Sequence, residues 1–163
     1  MRTLIIFSLI LGACGTAIKK ENILIPSSSE IDEVLNQWHA DAATGQLDSY
    51  FEAIHDDGHF LGTDKTEDWS KEEFYQFCIP HFEDGKAWDF KPTNRKVYFT
   101  PEGKTSWFSE ILDTWMGPCR GSGVLISTNN GWKITQYNLT ILVDNDDVDS
   151  YLEVVKKREN EEK

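Results

Sequence analysis

After Gly85 the chain is built of short runs rich in aromatic and β-branched residues, cut by turn residues, and this most limits what it can fold into. Ala87 to Phe90 and Arg95 to Thr100 are short strand-like runs. Pro101-Glu102-Gly103 is a turn. Thr105 to Trp115 reads as a long strand, and Met116-Gly117-Pro118 turns the chain back. Arg120 to Thr128 follows, then Asn129-Asn130-Gly131, a strong hairpin signal. Trp132 to Val143 is the last strand. Antiparallel strands in one sheet need a cover for one face.

That cover lies upstream. Ser27 and Glu30 have capping-box spacing. Ile31, Val34, Leu35, Trp38 and Ala42 then recur at helical spacing, with Asp41 at the edge of the same face. Gly45 stops this helix. A short helix fits Leu47 to Ala53, and a strand fits Ile54 to Leu61, closed by Gly62. Ser70 and Glu73 open another helix, with Phe74, Phe77 and Cys78 on one side. Pro80 ends it or bends it. After the last strand, Asp144 to Asp147 supply an acidic start that suits the helix dipole. Val148, Tyr151, Leu152 and Val155 mark a closing helix that ends in Lys156, Lys157 and Arg158. Helices first and a strand meander second is an α+β pattern, not alternating βαβ.

Five pieces of this sequence go together. They are Trp38…Asp41…Gly45…Asp48-Ser49-Tyr50-Phe51; Phe60-Leu61-Gly62-Thr63-Asp64…Glu67…Trp69; Trp107-Phe108-Ser109-Glu110; Arg120-Gly121-Ser122-Gly123-Val124-Leu125; and Trp132-Lys133-Ile134-Thr135-Gln136-Tyr137-Asn138-Leu139-Thr140. In this order and spacing they resemble the SnoaL-like branch of the nuclear transport factor 2-like superfamily, over roughly Ile31 to Val143. The resemblance implies a cone-shaped fold: N-terminal helices packed in a strongly curved antiparallel sheet, here with an added C-terminal helix. It also implies a small-molecule pocket and a homodimer formed through the outer sheet face. Fold does not settle chemistry, because relatives include isomerases, cyclases, dehydratases and members without known chemistry. No residue here aligns with the acid/base carboxylate of the steroid-isomerase and polyketide-cyclase relatives.

A carboxylate in an aromatic-lined cone has its pKa raised by desolvation and can act as general acid or base near neutral pH. The candidates are Asp41, Asp64, Glu67, Glu110 and Asp113. Glu110 stands out, being flanked at alternate positions by Phe108 and Leu112. Arg120, on the strand paired across the Gly117 turn, is its expected partner. Glu110 and Asp41 are therefore the candidate catalytic residues. The candidate pocket residues are Trp38, Tyr50, Asp64, Trp69, Trp107, Arg120, Gln136 and Asn138, with Trp88 and Tyr137 as further possible walls. On the last strand, Trp132, Ile134, Gln136, Asn138 and Thr140 share one face and Lys133, Thr135, Tyr137, Leu139 and Ile141 the other. The resemblance favours Gln136 and Asn138 in the pocket; a slip of one residue reverses every assignment.

Other chemistry is poorly represented. Gly121-Ser122-Gly123 lacks the helix and the Lys of a phosphate loop, and it lacks the spacing of a nucleophile elbow. Glycines in a strand more often mark curvature. The four histidines are scattered, so no metal site and no cofactor is expected. The net charge of -12 and the lack of a Lys/Arg stripe argue against nucleic acid as a partner. Cys78 and Cys119 are either a disulfide or two buried thiols.

The N-terminus sets the compartment. Met1-Arg2 precedes Leu4 to Leu11, an apolar run of signal-peptide length and too short to span a bilayer. It closes on Leu11-Gly12-Ala13-Cys14, which resembles the bacterial lipobox. Residues 1–13 are expected to be a signal peptide. Residues 14–29 are expected to be a tether lipidated at Cys14, residues 30–158 the domain, and residues 159–163 a charged tail. Such a chain sits in the cell envelope, held by lipid alone, facing the periplasm or exterior; an acidic surface does not adsorb to anionic lipid. Three functions remain open: a cone binding a small, largely apolar ligand; a dimeric interaction module with a filled cone; or an isomerase, cyclase or dehydratase using a pocket carboxylate.

Overall fold

Sheet order follows from how the helices interrupt the chain. The computed structural model describes residues 26–161. The apolar leader, Cys14 and most of the tether lie outside them. The elements run α1 (Ser28–Ala43), α2 (Leu47–Glu52), β1 (Ile54–Leu61), β2 (Asp68–Ser70), α3 (Lys71–Phe82), β3 (Lys91–Phe99), β4 (Thr105–Thr114), β5 (Gly117–Thr128) and β6 (Gly131–Ile141). A 3-10 turn (Asn145–Asp147) and α4 (Val148–Glu161) follow. The described strands form one sheet in the order β2-β1-β6-β5-β4-β3. β1 lies parallel to β6, and every other pair is antiparallel. The helical half of the chain thus contributes two strands to the sheet that covers it, which is the α+β cone expected above.

Local chemistry explains most boundaries. Ser70 and Glu73 form the complete capping box: the Glu73 amide donates to Ser70 Oγ, and the Ser70 amide donates to Glu73 Oε2. At α1 only half the expected box forms. Ser27 Oγ accepts from the Ser29 amide, but Glu30 turns away to accept from the indole of Trp132 at 3.2 Å. α1 ends before Gly45, which has φ +67. α3 runs through Pro80 to the buried Phe82, since one lost amide bond near a helix end costs less than exposing that ring. The two long hairpins share one device. Thr114 and Thr128 each donate a hydroxyl to the carbonyl of the glycine three residues on, and Gly117 and Gly131 take φ +89 and +92. Ala87 to Phe90 is not a strand. The Ala87 amide donates to Ala42 O, which draws the segment toward α1 before β3 begins.

The core lies between α1, α3 and the concave sheet face. Ile31, Leu35, Trp38 and Ala42 are the buried stripe of α1. They meet Phe108 and Leu112 of β4, Cys119 and Leu125 of β5, and Ile134 and Tyr137 of β6 in one cluster. Cys78 on α3 and Cys119 on β5 are both buried free thiols, so the disulfide alternative is not formed. Burial pushes the Cys78 thiol far above the ordinary thiol range, which makes it inert.

Leu35 has no exposed surface. Leu35→Ala is expected to cost about 2–5 kcal/mol, read as a lower urea midpoint at unchanged slope. Val154→Ala, on the outside of α4, should stay within about 0.5 kcal/mol.

Candidate functional site

Aromatic side chains from both halves of the chain leave a cavity of about 270 Å³ between helices and sheet. Trp38 of α1 stacks on Tyr50 of α2 at 4.8 Å and takes the edge of Tyr137 from β6 at 4.6 Å. Phe60 of β1 stacks on Phe74 of α3 at 3.8 Å. Trp69 extends that wall and stacks on Phe77 at 4.6 Å. Trp88 closes edge-on against Tyr50. The mouth is marked by the exposed lining residues Thr63, His81 and Trp115; Trp115 is 84% exposed at the tip of the β4–β5 hairpin.

Among the described residues, the lining contains no lysine or arginine, and its one carboxylate is Glu67. Glu67 is held by local geometry: its Oε2 accepts from the Asp64 amide at 3.1 Å. A Cβ on residue 62 would run into that carboxylate, so Gly62 is required where the two segments cross. Asp64 stands outside the cavity, exposed. Its Oδ1 accepts from the hydroxyl and the amide of Thr66, and these bonds hold its pKa below the ordinary value.

Three polar atoms in the wall lack a hydrogen-bond partner: Trp38 Nε1, Tyr50 Oη and Tyr137 Oη. Burial pushes both tyrosine pKa values well above the ordinary range. The charge of Glu110 adds to this at Tyr137, and the Trp88 indole offsets a little of it at Tyr50. Neither phenol ionises near neutral pH.

Glu110 is not in this cavity. It points into the protein from β4, as its flanking Phe108 and Leu112 suggested, and is 1% exposed. Its Oε1 pairs with His39 Nε2 at 2.8 Å, and its Oε2 accepts from Arg95 Nε at 2.7 Å. Arg95 also donates to Asp32 Oδ1 and Asn36 Oδ1 of α1. Burial raises the pKa of Glu110, but His39 and Arg95 together outweigh it and hold the carboxyl below its ordinary value. The expected partner Arg120 is a correction. It pairs across from Ile111, one residue out of phase, and is exposed on the outer face. Arg95 takes its place because β3 is irregular between Thr93 and Lys96, with Asn94 at φ +49, and this bulge turns Arg95 inward.

Three more pocket candidates, Trp107, Gln136 and Asn138, lie on the outer face. Trp107 alternates with the buried Ser106 and Phe108, is 44% exposed, and stacks on Tyr98. On β6 the register slips between Val124 and Leu125 of the partner strand, leaving Thr135 as an extra residue. Trp132 and Ile134 face inward before the bulge, and Tyr137 and Leu139 face inward after it. Gln136 is therefore exposed, and Asn138 accepts from Thr140 outside the cone. Asp41 is buried outside the cavity, its oxygens taken by Gln37 at 2.8 Å and Ser49 at 2.7 Å. Of the candidates, Trp38, Tyr50 and Trp69 converge on the cavity, joined by Trp88, Tyr137 and Glu67. Phe77, His81, Phe90 and Trp115 also line it and carried no signal in the sequence beyond residue type.

This architecture is that of a nuclear transport factor 2-like cone. The chain matches the model of the SnoaL-like domain over residues 31–144 and belongs to that family. Solved structures of similar fold include a nuclear transport factor 2-like protein from Cytophaga hutchinsonii, at 17% identity and TM-score 0.60, covering 72% of this chain and 99% of that one. A protein of the same fold and unknown function from Pseudomonas putida has 11% identity and TM-score 0.60, covering 72% of this chain and 87% of that one. A putative aromatic ring hydroxylase from Novosphingobium aromaticivorans has 18% identity and TM-score 0.58, covering 71% and 89%. These likenesses show the fold. No curated protein matches the chain.

Glu110→Gln removes one of the two carboxylates that face Arg95 and leaves Asp32, at 3.1 Å, as its counter-charge. The expected cost is about 1–3 kcal/mol, seen in chemical denaturation. Because the folded pKa of Glu110 is depressed, its contribution is complete above the ordinary carboxylate range. It is lost as pH falls through the lower folded value. Stability of the parent protein should therefore drop more steeply on acidification than that of Glu110→Gln.

Proposed function

We propose that the domain holds a small, largely apolar molecule, neutral or positively charged, in the aromatic cavity. The cavity lining carries this reading: stacked Trp, Tyr and Phe side chains, one carboxylate and, among the described residues, no lysine or arginine. Such a lining offers dispersion contact to a flat or compact apolar body, and an aromatic face attracts a cation. Among the described residues it offers an anion neutral N–H and O–H donors but no lysine or arginine, and a chain with net charge -12 repels anions at long range as well. The volume suits a one- or two-ring molecule. The enzymatic alternative has less support. Glu110 and Asp41 are engaged by their own neighbours and stand outside the cavity, which leaves Glu67 at the mouth as its one carboxylate.

Tryptophan fluorescence provides the test, since four indoles line the cavity: Trp38, Trp69, Trp88 and Trp115. Indole and tetraethylammonium should quench or shift the emission saturably, and benzoate should not. Ala87→Trp, which places bulk into the cavity from its half-buried wall, should abolish the response while the fold persists. Preference for benzoate, or no saturable response to any of the three, would sink the reading.

We propose further that the cone is tethered to a membrane through Cys14. The observation behind it is the apolar run Leu4 to Leu11 closing on Leu11-Gly12-Ala13-Cys14. In a bacterial host, Cys14→Ser should abolish incorporation of labelled palmitate and move the protein out of the membrane fraction.

A further inference from the structure

Among the described residues, no side chain of the last helix is fully buried, and only Val155 is half-covered. α4 carries Val148, Tyr151, Leu152 and Val155 along one side. Tyr151 is 53% exposed, Leu152 41% and Val148 38%. Its main contact within the chain is the 3-10 turn that precedes it. A helix of this length is marginal in water without a packed face. Its own Glu153–Lys157 spacing adds only a few tenths of a kcal/mol. The match to the SnoaL-like domain ends at residue 144, so the helix is an addition to the cone, not part of its core.

Charge order along the segment identifies what covers it. Asp144, Asp146, Asp147 and Asp149 stand at its start, and Lys156, Lys157 and Arg158 near its end. Place a two-fold axis at the middle of the stripe, between Tyr151 and Leu152. Val148 then faces Val155 of a second copy, and Tyr151 faces Leu152. The same alignment brings Asp147 beside Arg158 of the second copy on one flank of the stripe and Asp149 beside Lys156 on the other. One register thus satisfies both the apolar stripe and the charges, and a parallel alignment would set like charge on like. A lipid surface fits less well, because residues 144–161 hold more acidic than basic side chains.

We propose that α4 docks antiparallel on α4 of a second copy of this chain, giving a symmetric dimer in which the same patch serves both partners. This is a different surface from the outer sheet face, and it stands whether or not the cavity holds a ligand. Two short helices bury less than a standard interface of about 1,200–2,000 Å², so the dimer is expected to be weak and exchanging.

Sedimentation velocity over a concentration series tests it, on the chain from residue 14 onward carrying Cys14→Ser. A concentration-dependent dimer is expected. Leu152→Asp should weaken it at least tenfold, and so should the pair Lys156→Glu with Arg158→Glu. Circular dichroism should show the cone of each variant still folded, since these side chains are outside the core. Mixing the Lys156→Glu, Arg158→Glu chain with an Asp147→Lys, Asp149→Lys chain should restore association as a heterodimer. A chain that stays monomeric throughout overturns the proposal. So does a dimer indifferent to these substitutions, and so does a failure of the two charge-swapped chains to recover on mixing.

Discussion

A carboxylate that water cannot reach must be met by charge, and that demand organises one side of this cone. Glu110 stands on the inner face of the sheet between Phe108 and Leu112. His39 comes to it from α1 and Arg95 from β3, and Arg95 continues to Asp32 and Asn36 on α1. The first helix is thereby tied to two strands by directional bonds, whereas apolar contact alone would leave its position less defined. Leaving the carboxylate without these partners would cost several kcal/mol, so helix and strands are coupled. The bulge at Asn94 belongs to the same arrangement, because without it Arg95 would point to solvent.

The other side of the cone is organised by aromatic packing. Trp38 and Tyr50 stack on one wall, and Phe60, Phe74 and Trp69 on the other. Large flat rings fill space poorly where three walls meet, and the space left is the cavity. The wall has a polar cost of its own, since Tyr50, Tyr137 and Trp38 carry unpaired donors. A Cβ on Gly121 would stand 2.5 Å from the Tyr137 hydroxyl and 3.1 Å from Glu110 Oε1. That glycine lets the ionic side and the aromatic side come together over a bare backbone. Residue 121 is therefore a packing requirement and not part of a phosphate loop.

The two sides divide the roles that carboxylates and aromatics were each able to fill. The buried acids Glu110 and Asp41 are saturated by neighbours and hold the fold. The cavity keeps aromatic surface, one acid at its rim and an exposed Trp115 beside the opening. The proposed ligand would be held there by shape and by the electrostatics of rings, with charge supplied at the edge.

Much of this was legible in the residues. Helical spacing located the buried stripe of α1, the Ser70 and Glu73 pair located the start of α3, and β1 fell at Ile54–Leu61 as read. Alternation with Phe108 and Leu112 singled out Glu110, and the structure shows that it points inward. These signals are local: a cap, a turn glycine or an apolar period acts within a few residues and leaves its mark in the sequence. What Glu110 touches, and whether Gln136 or Tyr137 faces the cavity, was decided elsewhere. Both depend on bulges, at Asn94 and at Thr135, and a single extra residue reverses the parity of all that follows. The sequence determined an α+β cone with an aromatic interior. Only the tertiary structure chose which faces look inward, because a bulge is stabilised by the packing of strands and helices against it and not by the residues that form it.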